Sequence, residues 1–171
     1  NMSSLAPAIL DAVPSDLHLA LARQLPPLRD AVFRQLVDDT AKTNASYSFS
    51  TGLAEIVPIL NVPANLGDMV ILTKNQLIMS YKIALAAGKQ GKPKDVIGEI
   101  AGVLGGGFLF RQIARQLVGL VPVAGIAPKV AVAYGGTWAI GRAVVLWATE
   151  GQKVSPDMVR SLYREGMERG R

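Results

Sequence analysis

The chain has 171 residues, of which 50% are hydrophobic but only 6% aromatic, and its formal net charge is +5. It contains no cysteine and a single histidine, His18. This composition excludes disulfides, thiol catalysis and cysteine-ligated metal, and most serine–histidine or multi-histidine zinc sites. The apolar residues are mainly Ala, Val, Ile and Leu, which suits closely packed helices better than a β-sandwich. The positive charge favours an anionic partner such as phospholipid, nucleic acid or an acidic protein surface.

The first half of the chain predicts short helices separated by prolines. Residues 4–13 are apolar and end at Pro14, after which Ser15 is a natural N-cap for a second helix. A pair of prolines at 26–27 breaks that helix and starts a third. Residues 43–52 (TNASYSFSTG) are small and polar, and we interpret them as a joint, although a polar helix would also fit. This division gives an N-terminal helical arm at 1–52 and a main domain at 53–171.

The second half predicts longer helices. Asp68 opens a helix that runs to about Ala87, with one stripe of residues facing the core: Leu72, Gln76, Met79 and Ile83. After a basic loop, Asp95 caps a helix over 95–120, and a Pro/Gly turn leads to another over 128–150. Ser155 and Pro156 begin a last, charged helix. The predicted fold is therefore an all-α, compact helical bundle with a Gly/Ala-rich apolar helical hairpin.

The apolar hairpin contains no acidic residue between positions 100 and 149. Small residues recur four apart, a spacing that lets helix backbones approach closely: Gly98, Gly102, Gly106, Gly135, Ala139 and Ala143. Two arginines, Arg111 and Arg142, interrupt the apolar runs, and a charge at mid-bilayer is costly. Three interpretations stay open: a soluble core hairpin, a shallow hairpin at a membrane surface, and two membrane spans.

One segment of the second apolar helix, residues 134–143 (YGGTWAIGRA), resembles a signature of the YcjF-like, GTPase-associated family known as domain of unknown function 697. The similarity extends over roughly residues 53–151. It includes a proline-containing segment with an Asp-led helix, a Gly-rich helix with an arginine pair, and the Pro/Gly turn before the signature. The positions that we take as its structural signature are Asp68, Gln76, Thr137 and Gly141.

The resemblance implies a helical domain that is carried behind an Era-like GTPase domain or occurs in inner-membrane proteins. It implies no catalytic activity. The glycine-rich stretch Gly102–Gly107 lacks the Lys-Ser/Thr pair of a phosphate-binding loop, so we expect any GTPase to be a separate chain or domain. The expected location is the bacterial cytoplasm or the cytoplasmic face of the inner membrane.

Basic residues are the candidates for contact with a partner or with lipid. Arg111, Arg115 and Arg142 lie on apolar helices, where a charge must be paired, exposed or snorkelling. Pairing with acidic residues is the alternative for these arginines. The loop lysines Lys89, Lys92 and Lys94 could lie on lipid headgroups, or form an ordinary solvated loop. We interpret His18 as a surface residue.

The sequence supports two functional hypotheses. The first is a non-catalytic interaction module that couples a GTPase, in cis or in trans, to a membrane or envelope process. The second is a soluble homo-oligomeric scaffold without lipid affinity. We predict no catalytic, cofactor-binding or metal-binding residue, because one histidine and no cysteine leave little to build such a site. Nucleic acid is not an expected partner, since the basic residues are dispersed and no recognised binding motif is present.

Overall fold

A computed structural model describes residues 2–54, 63–103 and 126–170. All regular elements within these ranges are helical, which confirms the predicted all-α bundle. Two short 3₁₀ turns, Ser15–Leu17 and Pro26–Leu28, join the first helices. The helices are α1 (Met2–Ala12), α2 (His18–Gln24), α3 (Arg29–Ala54), α4 (Pro63–Ala86), α5 (Pro93–Val103), α6 (Ile126–Glu150) and α7 (Pro156–Arg169).

Helix α6 occupies the centre of the bundle, where it packs against α3, α4 and α7. Its residues are apolar on nearly all sides, and a helix of this kind has to be covered by other elements to be stable in water. Trp138, Val144 and Trp147 of α6 are buried in one continuous core with Phe33 of α3 and Met79 of α4. Helix α5 packs on α4, and α2 packs on α3 and α4.

The helix ends follow local sequence signals. Helix α4 stops at Gly88, which has a φ of 97°, and the Lys89 amide donates to the carbonyl of Ala84 in a Schellman arrangement. Gly151 ends α6 with a φ of 64°, as predicted. Ser155 caps α7 because its hydroxyl accepts the Met158 amide hydrogen at 3.2 Å.

The predicted joint at 43–52 is wrong, because α3 continues without interruption to Ala54. The alternative of a polar helix is the correct one. Asn44, Ala45 and Ser48 are buried at helical spacing and prolong the stripe formed by the apolar residues earlier in α3. Helix α3, which the sequence placed mostly in the N-terminal arm, thus forms one wall of the core against α6.

Three predicted helix caps are also wrong. Ser15 begins the 3₁₀ turn Ser15–Leu17 and α2 begins only at His18, so Ser15 is not the N-cap of α2. Helix α4 begins at Pro63 rather than at Asp68, so Asp68 lies in its second turn and cannot be the N-cap. Helix α5 begins at Pro93, which places Asp95 inside the first turn. Its negative charge there still interacts favourably with the positive end of the helix dipole.

His18 is buried, with only 8% of its surface exposed, and the prediction of a surface residue is wrong. Its Nε2 lies 3.0 Å from the carbonyl oxygen of Leu10 and 2.9 Å from that of Val13. These carbonyls lie at the end of α1, where backbone acceptors have few helical partners, and the Leu10 carbonyl also accepts the Val13 amide hydrogen at 3.2 Å. The imidazole therefore ties α2 to the end of α1.

Small residues allow a close contact between α6 and α7. A Cβ atom added at Gly166 would lie 2.7 Å from the carbonyl oxygen of Gly135, and one added at Gly135 would lie 2.9 Å from the Met167 amide nitrogen. Gly98 and Gly102 of α5 behave differently. They are exposed, and a Cβ at either meets no described atom within 4 Å. The predicted close packing is therefore seen at Gly135, whereas Gly98 and Gly102 show no such contact with the described residues.

We predict that Gly166→Ala lowers the free energy of unfolding by about 2 kcal/mol, because the added methyl group meets backbone atoms that cannot move aside. Gly98→Ala is the matched control and should raise it by about 0.5–1 kcal/mol, since alanine is the better helix former in open space. Urea unfolding followed by circular dichroism measures both. Equal stability of the two variants would contradict the described contact between α6 and α7.

Candidate functional site

A buried polar cluster lies where α3, α4 and α6 meet. The Thr137 hydroxyl oxygen accepts a hydrogen bond from Asn44 Nδ2 at 2.9 Å and one from Gln76 Nε2 at 3.1 Å. Asn44 and Thr137 are fully buried, and Gln76 is 7% exposed. Gln76 therefore forms a hydrogen bond inside the bundle, and its partner is a second residue of the signature.

The cluster continues toward the surface through α4. Asn75 Nδ2 donates to Asn44 Oδ1 at 2.8 Å, and Asn44 Nδ2 also approaches the Leu72 carbonyl oxygen at 3.5 Å. Gln76 Oε1 is buried and has no hydrogen-bond partner among the described residues, which costs about 1–3 kcal/mol unless a water molecule reaches it. The cluster consists of neutral amides and a hydroxyl, so its role is structural: its hydrogen bonds hold three helices in register.

Gly141 lies one turn after Thr137 on α6 and brings α3 close to this cluster. A Cβ atom at Gly141 would lie 2.6 Å from Val37 Cγ2 and 3.2 Å from Met79 Cε. Thr137, Gln76 and Gly141 therefore meet in one contact between α3, α4 and α6. The fourth signature residue, Asp68, lies on α4, but its side chain is outside the described residues.

Arg142 is the one candidate arginine that the structure describes, since Arg111 and Arg115 lie outside the described residues. Its guanidinium carbon lies 6.0 Å from the centre of the Trp138 ring, and that of Arg169 on α7 lies 5.0 Å from the same ring. These are distances for a cation–π interaction. Arg142 has no carboxylate partner among the described residues, so the predicted acidic pairing is not seen there, and an aromatic ring takes its place.

Tyr134 links α6 to its neighbours beside this pair of arginines. Its hydroxyl donates to Asp38 Oδ1 at a long distance of 3.5 Å. Burial raises the pKa of Tyr134, the Asp38 carboxylate raises it further, and the Arg169 guanidinium acts in the opposite direction. Asp38 lies in the middle of α3 and is half-buried.

The three lysines of the basic loop between α4 and α5 lie in two different environments. Lys89 Nζ lies 3.3 Å from Glu99 Oε1 and 4.6 Å from the centre of the Trp147 ring, so this side chain is held against the bundle. Lys92 and Lys94 are exposed and form no ion pair with any described residue. Of the three predicted contact lysines, these two are the ones directed to solvent.

One helix in the described part of the chain is long and apolar enough to cross a membrane by length and composition. It is Val130–Glu150, with 21 residues and a mean hydropathy of 1.3. The core helix of a soluble protein passes the same test, and 72% of the most apolar stretch of this helix is buried inside the bundle. This burial favours the soluble-core interpretation for α6.

Metal ligands are not grouped in the part of the chain that the structure describes. No three His, Asp or Glu side chains there lie close enough together to hold a metal ion.

Comparisons with protein-family models, with curated proteins and with solved structures find no match for this chain.

We predict that Thr137→Val lowers the free energy of unfolding by roughly 2 kcal/mol, because Asn44 and Gln76 lose the oxygen that accepts from both. Thr149→Val is the control on the same helix. Its hydroxyl is near the surface and donates only to the Val145 carbonyl, so we expect a change within about 0.5 kcal/mol. Urea unfolding measures both variants, and an equally small effect at both positions would contradict a structural role for the cluster.

Proposed function

We propose that this chain is a non-catalytic helical interaction module that couples a GTPase, in cis or in trans, to a membrane or envelope process in bacteria. The GTPase part comes from the resemblance of residues 134–143 to the GTPase-associated family. What supports it is that Thr137, Gln76 and Gly141 pack together in the core. Signature residues that lie in the core determine how the helices pack. A module without catalytic residues needs such a defined shape in order to bind a partner.

The membrane part of the proposal depends on a single observation, the pair of unpaired lysines Lys92 and Lys94. They flank Pro93 at the positive end of α5, where the helix dipole adds to their charge. Lys89 is held by Glu99 and Trp147, and Gly88 and Gly91 adopt positive φ angles, so the loop has a defined shape. Such a loop can contact anionic headgroups while α6 stays inside the bundle. Asp95 lies beside the two lysines and limits the contact to a weak, salt-sensitive one.

We predict that the chain binds vesicles containing phosphatidylglycerol at low salt, and that the variant Lys92→Glu/Lys94→Glu binds them at least about tenfold more weakly. Each lysine near an anionic surface contributes on the order of 1 kcal/mol, and the reversal turns attraction into repulsion. Co-sedimentation with vesicles of this composition and with purely zwitterionic ones measures the effect.

The matched control is Arg34→Glu/Lys42→Glu, which makes the same change in net charge at two exposed positions of α3. It should retain most of the binding. If the loop variant and the control bind equally well, the loop is not the contact surface.

The GTPase part is tested separately by purifying the chain from its native cells with GTP or GDP present. The absence of a nucleotide-dependent GTPase among the bound proteins would remove that part of the proposal.

A further inference from the structure

A groove of about 630 Å³ runs between α3 and α4 and is closed at one end by the Ser15–Leu17 turn and the start of α2. Its floor is apolar and includes Leu19, Leu36 and Met79. The groove is separate from the basic loop, and it meets the buried polar cluster only at Asn75. Its size and apolar floor suit the side chains of an inserted helix.

The rim of the groove carries charges of both signs. Asp39 lies on the α3 wall, Asp16 lies at the closed end, and Lys82 lies on the α4 wall. All three side chains are exposed, and none forms an ion pair with a described residue. Asp16 and Asp39 therefore have no basic partner within ion-pair distance among the described residues, even though the chain as a whole carries a net charge of +5.

The exposed side of α4 presents a ridge at the edge of the groove, and two of its residues, Ile78 and Lys82, also line the α4 wall. Ile71, Lys74, Ile78 and Lys82 follow one another at intervals of three and four residues, so they lie in one row on the helix. Ile71 is 37% exposed and Ile78 is 44% exposed, which is unusual for two isoleucines on one helix face. The row is about 17 Å long at 1.5 Å per residue. The isoleucines of this row can pack on the apolar floor of a groove, and its lysines can pair with the acidic residues on the rim.

We propose that a second copy of this chain occupies the groove, and that the α3–α4 face is the interface of a two-fold homodimer. Both complementary features, the groove with Asp16 and Asp39 on its rim and the ridge of isoleucines and lysines at its edge, belong to the same face of the same chain. A face of this kind is complementary to itself under two-fold rotation, which is the arrangement of an isologous dimer. The inference does not depend on the proposed GTPase or membrane role.

The pairing across the interface follows from the direction of the helices. Asn44 contacts Asn75, while Val37 and Met79 both pack against Gly141, so α3 and α4 run antiparallel. Asp39 consequently lies across the groove from Ile78. In the dimer, Ile78 of each copy enters the groove of the other, and Lys82 of each copy lies next to Asp39 of the other.

The experiment is sedimentation velocity of the full chain over a wide range of concentration. The expected result is a reversible monomer–dimer equilibrium. Ile78→Ser should raise the dissociation constant at least about tenfold, because it removes the apolar group that enters each groove. Lys82→Glu and Asp39→Lys should each weaken the dimer by a similar factor, since each places like charges opposite one another twice.

Mixing the two charge variants gives the sharpest result. In a heterodimer of Lys82→Glu with Asp39→Lys, both ion pairs across the interface are restored, one of them with its charges exchanged. The mixture should therefore dimerise at least about tenfold more tightly than either variant alone. Lys153→Glu, at an exposed position in the loop before α7, is the control for net charge and should dimerise like the wild type.

Three outcomes would overturn the inference. A chain that stays monomeric at every concentration would show that the groove does not bind a second copy. Binding of a different protein in the groove would show the same. A dimer that is insensitive to the change at Ile78 would place the interface elsewhere. A mixture of the two charge variants that stays monomeric, while each variant keeps the helical content of the wild type, would rule out the pairing of Lys82 with Asp39.

Discussion

The bundle is organised by the need to cover helix α6. This helix has buried positions on almost every side, including Trp138, Val144 and Trp147, and it would expose a large apolar surface if it stood alone in water. Helices α3, α4 and α7 provide the cover. The contact with α7 is closest, because Gly135 and Gly166 allow the two backbones to meet. This much cover favours a protein core for α6, whose length and composition would also suit a membrane span.

Within this cover, the polar cluster determines which residues of α3 and α4 face α6. Apolar surfaces can slide along one another at small cost, whereas Asn44 and Gln76 must both reach the Thr137 hydroxyl to avoid being buried without partners. Gly141 adds a steric condition one turn away, because only a residue without a side chain admits Val37 there. Three of the four residues that the sequence analysis took as a family signature, Gln76, Thr137 and Gly141, are thus residues that fix helix packing.

The helices with strong apolar periodicity were predictable from the sequence, and so were the ends marked by Gly151 and Ser155. The C-terminal half of α3 was not, because its buried positions, such as Asn44 and Ser48, are small and polar and leave no apolar period to read. His18 was missed because its partners are backbone carbonyls, whose position depends on the turn that follows α1. The cluster around Thr137 joins residues 61 and 93 positions apart, and no local pattern reports such a contact.

The most direct test of this account is tryptophan fluorescence, because the chain has two tryptophans and both lie on α6. The full chain would be mixed with anionic vesicles whose acyl chains are brominated deep in the bilayer, and its binding would be followed by co-sedimentation. If α6 is a core helix, the fluorescence of Trp138 and Trp147 stays unquenched by the brominated lipid even when the protein is bound, and acrylamide quenches it only after unfolding in urea. Strong quenching by the brominated chains would show that α6 enters the bilayer and would contradict the covered core described above.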